Sequence, residues 1–157
     1  MHRCASLEDL STQDRDLVQA ALAAAAHAYA PYSGYAVGAA LRTPAGVVYR
    51  GCNVENAAYG VVLCAEVGAL AAANVDGAGA AVQVIAVTGR LLATGAQQSS
   101  AVVTPCGRCR QLIFEASQRA RHDIRVLCCN HDLSRIEVTS IAALLPSGFG
   151  PASLGMA

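Results

Sequence analysis

Three cysteines and one glutamate have the types and spacing needed for metal-assisted hydrolysis. Cys106 and Cys109 form a Cys-x-x-Cys pair at the expected start of one helix, and Cys64 stands at the expected start of another. Three thiolates can hold zinc while its fourth tetrahedral position keeps a water, whose lowered pKa supplies hydroxide near neutral pH. Glu66 lies two residues after Cys64, close enough to reach that water without binding the metal. We therefore predict one Zn²⁺ per subunit and assign Glu66 as the catalytic proton shuttle.

Two other interpretations of the cysteines stay open. A lone Cys-x-x-Cys in a reduced protein is often structural or redox-active. A closed four-thiolate site would have to recruit Cys4, Cys52, Cys128 or Cys129, none of which forms a second Cys-x-x-Cys. We interpret these four residues as packed thiols. A noncatalytic structural-zinc or thiol protein is therefore the alternative from another functional class.

The composition predicts a single soluble domain over residues 1–157 that associates with copies of itself. A chain of 157 residues can bury one sizeable core. The hydrophobic fraction is 54% and the charged fraction only 14%, so much of the surface is expected to lie in subunit contacts. The 11 basic and 11 acidic residues balance, which disfavours a nucleic-acid partner. No apolar run reaches the roughly 18 residues of a membrane span.

The N-terminal residues indicate a cytoplasmic protein. The opening MHRCASLEDL lacks the apolar core and the small-residue cleavage site of a secretory signal. We expect residues 1–11 to form a flexible N-terminal segment. In a reducing compartment, an odd count of seven cysteines favours metal ligation and buried thiols over a disulfide framework.

The order of helix and strand signals predicts an α/β fold. Ser11 caps an expected helix over about 12–29, and a hairpin turn at 44–46 joins two apolar runs. A helix over 64–74, a strand in VQVIAVTG and a helix beginning near Pro105 follow. IRVLCC and RIEVTS predict two more strands, and the tail predicts a short helix and an ordered loop. This order favours a mixed sheet covered by helices. It also places the cysteine ligands at helix N-termini, where the helix dipole stabilises thiolates.

Five motifs in succession resemble those of the small homotetrameric, zinc-dependent cytidine deaminases. They are AHAYAPYSGYAVGAAL, GCNVENAAYG, CAE, TPCGRCRQ and LLPSGFGPASLG. The resemblance implies a three-layer α/β/α fold with a five-stranded mixed sheet, and a homotetramer whose active sites are shared between subunits. It also implies hydrolytic deamination of cytidine and deoxycytidine, with release of ammonia, in pyrimidine salvage. Zinc-bound hydroxide would attack C4 while Glu66 moves the protons.

The same resemblance assigns the substrate-binding residues. Asn53 and Glu55 would hydrogen-bond the sugar hydroxyl and the base, and two residues at i and i+2 on a strand do share one face. Tyr35 would lie beside the base. The remaining positions are Ala65 between the ligand and the shuttle, Ala57 and Tyr59 from an adjacent subunit, and Phe149 as a cap from another.

Two positions depart from the family pattern, and one related activity competes. Tyr35 stands where the family commonly has phenylalanine. Val67 stands where many members have an arginine that offsets the charge of the zinc thiolates. The blasticidin S deaminases, which accept a modified cytosine nucleoside, share CAE and PCGRCRQ. The pair of Asn53 and Glu55 in NVEN favours an ordinary ribose or deoxyribose over that alternative.

Replacing Val67 tests the charge balance of the site. Zn²⁺ with three thiolates is net negative, and valine cannot offset it, so backbone N–H groups, Arg108 or Arg110 must do so. We expect Val67→Arg to keep zinc while changing the pH profile and kcat, measured by metal analysis and steady-state kinetics. Unchanged zinc affinity, pH profile and kcat would reject an electrostatic role for this position.

Overall fold

A six-stranded mixed sheet forms the middle layer of the computed structural model, which describes residues 3–93 and 96–156. The strands are β1 Arg3–Ala5, β2 Tyr35–Arg42, β3 Val48–Cys52, β4 Val84–Leu91, β5 Arg125–Cys129 and β6 Ile136–Ser140. Their order across the sheet is β1-β6-β5-β4-β2-β3. Only the β4–β5 pair is parallel among the strands of the described residues, and the other neighbours are antiparallel.

Helices cover both faces of the sheet. They are α1 Thr12–Ala25, α2 Ala65–Val75, α3 Gly107–Ala120 and α4 Ile141–Leu144. Short 3-10 turns occupy Leu7–Asp9, Tyr59–Val61 and Pro151–Leu154. α1 packs on one face, and the other three helices pack on the opposite face. The predicted three-layer α/β/α architecture is therefore confirmed. Within the described residues, no helix has the length and apolarity to cross a membrane.

The central strand β4 separates two cores. Val84 and Ala86 face the α1 side, whereas Ile85 and Val87 face α2 and α3. All four side chains are buried, because helices cover both faces at this point. A strand buried on both faces is expected to be a continuous apolar run, and VIAV is such a run.

The N-terminal residues add a strand that the sequence did not predict. The expectation was five strands with a flexible segment over 1–11. Arg3 and Ala5 instead pair antiparallel with Val138 and Ile136 of β6. Leu10, in the same segment, is buried in the core beneath α1. A three-residue strand is too short to show the period-two pattern by which strands are recognised in a sequence.

The first helix is shorter than predicted, for a reason that matters to the site. Ser11 caps it as expected, accepting a hydrogen bond from the Asp14 N–H. The helix ends at Ala25 rather than near Tyr29, because the Tyr29 backbone pairs with another segment. Its N–H donates to the Asn53 carbonyl, and its carbonyl accepts from the Glu55 N–H. These bonds place the chain around Glu55 beside the end of α1.

A glycine in β3 brings the start of α2 directly against the sheet. An ideal Cβ on Gly51 would overlap the Ala65 carbonyl oxygen and the Ala69 nitrogen. Only glycine leaves room for this backbone contact. The first turn of α2 is thereby held on the sheet beside the end of β3.

One buried carboxylate joins α1 to two strands. Asp14 Oδ1 lies 2.9 Å from Arg42 Nη2, and Asp14 Oδ2 lies 2.6 Å from Arg125 Nη2. Both Asp14 and Arg42 are buried. Burial raises the pKa of Asp14, but the hydrogen bonds and charges of Arg125 and Arg42 outweigh it and lower the pKa below its ordinary value.

Asp14→Asn should destabilise the fold by about 3–5 kcal/mol, because Arg42 would remain buried without a counter-charge. The contribution of Asp14 is complete above the unfolded-state pKa of about 3.8, and it is lost as the pH falls toward the lower folded-state pKa. The stability difference between wild type and variant should therefore narrow below about pH 4. Urea unfolding of both proteins at a series of pH values measures this difference in the free energy of unfolding.

Arg135→Gln is the matched control, because it breaks an ion pair that is exposed at the arginine. Arg135 Nη2 lies 3.3 Å from Glu137 Oε1, and its side chain is 52% exposed. Its removal should change the unfolding free energy by no more than about 0.5 kcal/mol. An Asp14→Asn variant as stable as this control would contradict the proposed role of the buried pair.

Candidate active site

The three predicted cysteine ligands meet at the N-termini of two helices. Cys64 is the N-cap of α2, Cys106 is the N-cap of α3, and Cys109 lies in the first turn of α3. Their Sγ atoms all lie within 4.8 Å of one another. Within residues 3–93 and 96–156, no fourth cysteine, histidine or carboxylate joins the group. The cluster therefore offers three ligands rather than a closed set of four.

The spacing of the sulfur atoms fits one zinc ion. Zn–S bonds of about 2.3 Å in a tetrahedron separate the sulfurs by about 3.8 Å. The Sγ atoms of Cys64 and Cys106 are 4.0 Å apart. A tetrahedral zinc could thus be held by the three thiolates with little rearrangement.

Ionisation of all three thiols would require a cation at the cluster. Burial raises the pKa of Cys64 and of Cys109, and the neighbouring Glu66 carboxylate raises both further. Burial acts in the same direction on Cys106, but hydrogen bonding from the backbone and side chain of Cys109 outweighs it and lowers the pKa. Three ionised thiols so close together require positive charge between them. A thiolate-binding dication such as zinc supplies that charge.

Glu66 lies in the first turn of α2, beside the thiol cluster. Its side chain is buried, with 4% of the residue exposed. Burial raises the pKa of its carboxyl group, although hydrogen bonds to its own backbone and to Cys109 act in the opposite direction. The residue lines the same cavity as Cys64 and Cys106 but does not belong to the ligand group. This is the geometry expected of a proton carrier.

A cavity of about 330 Å³ contains the predicted chemistry. Six predicted residues line it: Tyr35, Asn53, Cys64, Ala65, Glu66 and Cys106. Its volume is in the range of small-molecule sites. A second cavity of about 320 Å³, lined by Tyr32, Ser33, Glu55, Tyr59 and Val62, adjoins it. The two cavities share Ser33 and Val62 and therefore lie side by side, and we refer to them together as the cleft.

A larger groove at the other end of α3 contains none of this chemistry. It measures about 680 Å³ and lies around Arg121, His122 and Asp123. Neither the thiol cluster nor Glu66 lines it. We therefore place the site in the smaller cleft, where the thiols and the buried carboxyl group coincide.

Asn53 is fixed by the backbone of the neighbouring strand. Its Oδ1 accepts from the Val37 N–H at 2.7 Å, and its Nδ2 donates to the Tyr35 carbonyl at 2.9 Å. β3 ends at Cys52, so Asn53 lies just beyond the strand on which it was expected. Val54 keeps the segment extended through bridges to Tyr29 and Leu63.

Glu55 is held on the second cavity by the turn after α1. Its Oε2 accepts hydrogen bonds from the N–H groups of Tyr32, at 2.9 Å, and of Ser33, at 3.2 Å. Hydrogen bonding from Ser33 and Tyr32 lowers the pKa of the Glu55 carboxyl group. Glu55 is therefore an ionised acceptor whose position is set by backbone donors.

The residues expected from neighbouring subunits are exposed in this chain. Phe149 is 63% exposed, and its carbonyl accepts from Gln111 Nε2. Neither Phe149 nor the exposed Ala57 lines the two cavities. Tyr59 is 74% exposed, yet it lines the second cavity of its own chain and makes an edge-to-face contact with Tyr32 at 6.0 Å. The structure thus brings Tyr59 to its own cleft, whereas the resemblance assigned it to a neighbouring subunit.

Several lining residues were missed at the level of sequence. They are Tyr32, Ser33, Val37, Val62, Leu63, Val103 and Thr104. Four of them stand inside quoted motifs: Tyr32, Ser33 and Val37 in AHAYAPYSGYAVGAAL, and Thr104 in TPCGRCRQ. Their place in the sequence, within the same motifs as predicted site residues, was the signal that could have identified them. Val103 and Leu63 carry no such signal, since isolated apolar residues are usually part of the core.

A Cys-x-Glu segment and a Pro-Cys-x-x-Cys segment that converge on one cavity define a zinc-dependent deaminase. The family model for the cytidine and deoxycytidylate deaminase zinc-binding region matches residues 11–122. A cytidine deaminase from Mycobacterium tuberculosis is 39% identical over 127 residues, covering 81% of this chain and 82% of that protein. One from Sporosarcina psychrophila is 39% identical over 132 residues, covering 83% and 86%. This chain belongs to the cytidine and deoxycytidylate deaminase family.

A solved structure agrees with this assignment. The crystal structure of cytidine deaminase from Burkholderia pseudomallei has a TM-score of 0.75 and 39% identity. The match covers 89% of this chain and 100% of that chain. The chain is therefore an enzyme of the deaminase family with a zinc site formed by Cys64, Cys106 and Cys109.

Removing one buried thiol should remove the metal. Cys109→Ala is expected to lose stoichiometric zinc on dialysis against a mild chelator, because only two thiolates would remain. Cys128→Ala removes a thiol that is also buried but lies outside the cluster, and it should retain one zinc per chain. Elemental analysis of the dialysed proteins measures both. A Cys109→Ala protein that keeps a full equivalent of zinc would exclude this ligand set.

Proposed function

We propose that this protein hydrolyses cytidine and deoxycytidine to uridine and deoxyuridine with release of ammonia. The observation that carries the proposal is the single cleft that joins a three-thiol cluster, a buried Glu66 and the polar pair of Asn53 and Glu55. The thiol cluster and Glu66 suit metal-assisted addition of water, and Asn53 and Glu55 suit the binding of a sugar. The relatives named cytidine deaminase support cytidine as a substrate.

Zinc held by Cys64, Cys106 and Cys109 would lower the pKa of a water molecule so that it can act as a nucleophile near neutral pH. The protein's own contribution is the movement of protons. Addition of water at C4 of the base yields one proton, which Glu66 carries to the ring nitrogen N3. Breaking the C4–N4 bond requires a second proton on the amino nitrogen, which Glu66 carries from the new hydroxyl group. The products are the 4-oxo base and ammonia.

The burial of Glu66 suits this repeated exchange. A carboxyl group with a raised pKa takes up a proton more readily near neutral pH than an exposed one. With 4% of the residue exposed, Glu66 is also largely shielded from bulk solvent. Ala65 is fully buried beside it and leaves space for the edge of the base.

Asn53 and Glu55 are proposed to bind the sugar and orient the base. Asn53 has already committed its amide to Val37 and Tyr35, so its remaining Nδ2 hydrogen has a defined direction. A carboxylate can accept about four hydrogen bonds, so Glu55 retains capacity for a sugar hydroxyl. Tyr35 lines the same cavity and offers an aromatic face to the pyrimidine.

We further propose that the site is completed in a homotetramer. Ala57 and Phe149 are exposed in the chain, as residues that reach a neighbour's cleft must be. Tyr59 could serve either its own cleft or an adjacent one, since it lies at the rim. A low charged fraction of 14% also suits extensive subunit contacts. The setting we propose is pyrimidine salvage in the cytoplasm.

A substrate comparison tests the proposed function. Purified enzyme is incubated with cytidine, deoxycytidine, cytosine, CMP and blasticidin S while ammonia and ultraviolet absorbance are followed. We expect the two nucleosides to give the highest kcat/KM, because free cytosine has no sugar for Asn53 and Glu55. Glu66→Gln should lower kcat on cytidine by about 10²–10⁴-fold while zinc content stays unchanged.

Two results would contradict the proposal. Preferential turnover of blasticidin S would assign the modified-nucleoside alternative. Full activity of Glu66→Gln would remove the proton carrier from the mechanism. Glu115 also lies on α3, but it lines neither cavity of the cleft. Glu115→Gln is therefore the control for loss of a carboxylate and should keep the wild-type kcat.

A further inference from the structure

The two segments that carry the cysteine ligands are tied together by an arginine between two of them. Arg108 lies between Cys106 and Cys109 in the first turn of α3. Its Nη1 donates to the Val62 carbonyl at 3.0 Å. Val62 is two residues before Cys64 and lines both cavities of the cleft. A side chain on the Cys106–Cys109 segment therefore anchors the residues that immediately precede Cys64.

This contact is the one described hydrogen bond from the start of α3 to the loop before α2, apart from the thiol pair itself. The two segments are distant in sequence, since Arg108 and Val62 are 46 residues apart. Zinc geometry tolerates deviations of only about 0.2 Å in ligand distance. A hydrogen bond that fixes the two segments relative to each other therefore helps to set the distances between the cysteine ligands.

The other candidate cation is directed elsewhere. Each guanidinium nitrogen of Arg110 donates to an oxygen, with Nε on the Pro105 carbonyl, Nη1 on the Leu144 carbonyl and Nη2 on Thr104 Oγ1. Arg110 thus fastens the loop before Cys106 to the end of α4. It does not connect the two ligand segments.

The first turn of α2 contributes the acidic Glu66 but no basic residue. Val67 lines the groove between α2 and α3 together with Leu70, Ala71 and Leu112. The same groove is also lined by the polar residues Asn74, Glu115 and Arg119. The guanidinium of Arg108 is accordingly the positive group that bridges the two ligand-bearing helix starts within the described residues.

We propose that Arg108 is a positioning residue of the metal site, whose hydrogen bond to the Val62 carbonyl holds the loop before Cys64 against the Cys106–Cys109 turn. Outer groups that orient metal ligands are typically worth 10–100-fold in metal affinity. The inference rests on the zinc site of the proposed function and not on its substrate.

The test measures transfer of zinc from the loaded enzyme to a chromophoric chelator. Arg108→Met, which removes the hydrogen bond and the charge but keeps the side-chain length, should weaken zinc binding about 10–100-fold. Arg108→Lys keeps the charge and a donor and should recover most of the affinity. Arg108 is exposed, so neither variant is expected to lose the fold, and circular dichroism of the loaded proteins checks this.

Arg119→Met is the matched control. Arg119 also joins α3 to α2, through a hydrogen bond from its Nη2 to Asn74 Oδ1 at 3.2 Å, but at the end of α3 away from the thiols. It should bind zinc as tightly as wild type. The proposal is overturned if Arg108→Met binds zinc with wild-type affinity, or if Lys and Met weaken binding equally. Because zinc affinity is read without a nucleoside, failure of the proposed deamination would not affect the result.

Discussion

Everything in this molecule depends on bringing three sulfur atoms to one point. Cys64 and Cys106 are separated by 42 residues, yet their Sγ atoms lie 4.0 Å apart. The sheet achieves this by supporting the N-termini of α2 and α3 on the same face. Gly51 allows the first turn of α2 to touch β3, and this fixes Cys64 and Glu66 together. The remaining features of the site are arranged around that meeting point.

The charges of the site follow from this geometry. Burial and mutual repulsion raise the pKa of Cys64 and of Cys109, and burial also raises the pKa of Glu66. A zinc ion held by the three thiols would favour their ionised form. In the mechanism that we propose, the buried carboxyl group of Glu66 carries the protons.

Much of this organisation could be predicted from local patterns in the sequence. The order of helices and strands, the ligand set and Glu66 all follow from spacing and helix starts. The structure differs where distant segments decide the outcome. The strand at residues 3–5 exists because β6 accepts it, and α1 stops at Ala25 because Tyr29 pairs with the segment around Val54. An alanine-rich run has high helix propensity, so the sequence alone predicts a longer helix.

The cleft residues likewise divide into those that the sequence predicts and those that only the tertiary fold reveals. Ser33 and Thr104 stand inside recognised motifs, but their side-chain types alone do not indicate a binding role, and the fold brings them to the cavity. Glu55 was identified by motif, but the donors of Tyr32 and Ser33 that hold it depend on the tertiary fold. The assignment of Ala57 and Phe149 to other subunits remains a prediction, since a single chain does not test it.

The amide of Asn53 has a further consequence for affinity. Because a backbone N–H and a backbone carbonyl hold its two ends, the side chain cannot rotate or exchange its oxygen and nitrogen. A ligand that meets it pays no conformational entropy to order it, a cost of about 0.5–1.5 kcal/mol for a mobile side chain. In the substrate-binding role that we propose for Asn53, this preorganisation would favour tighter and more selective recognition.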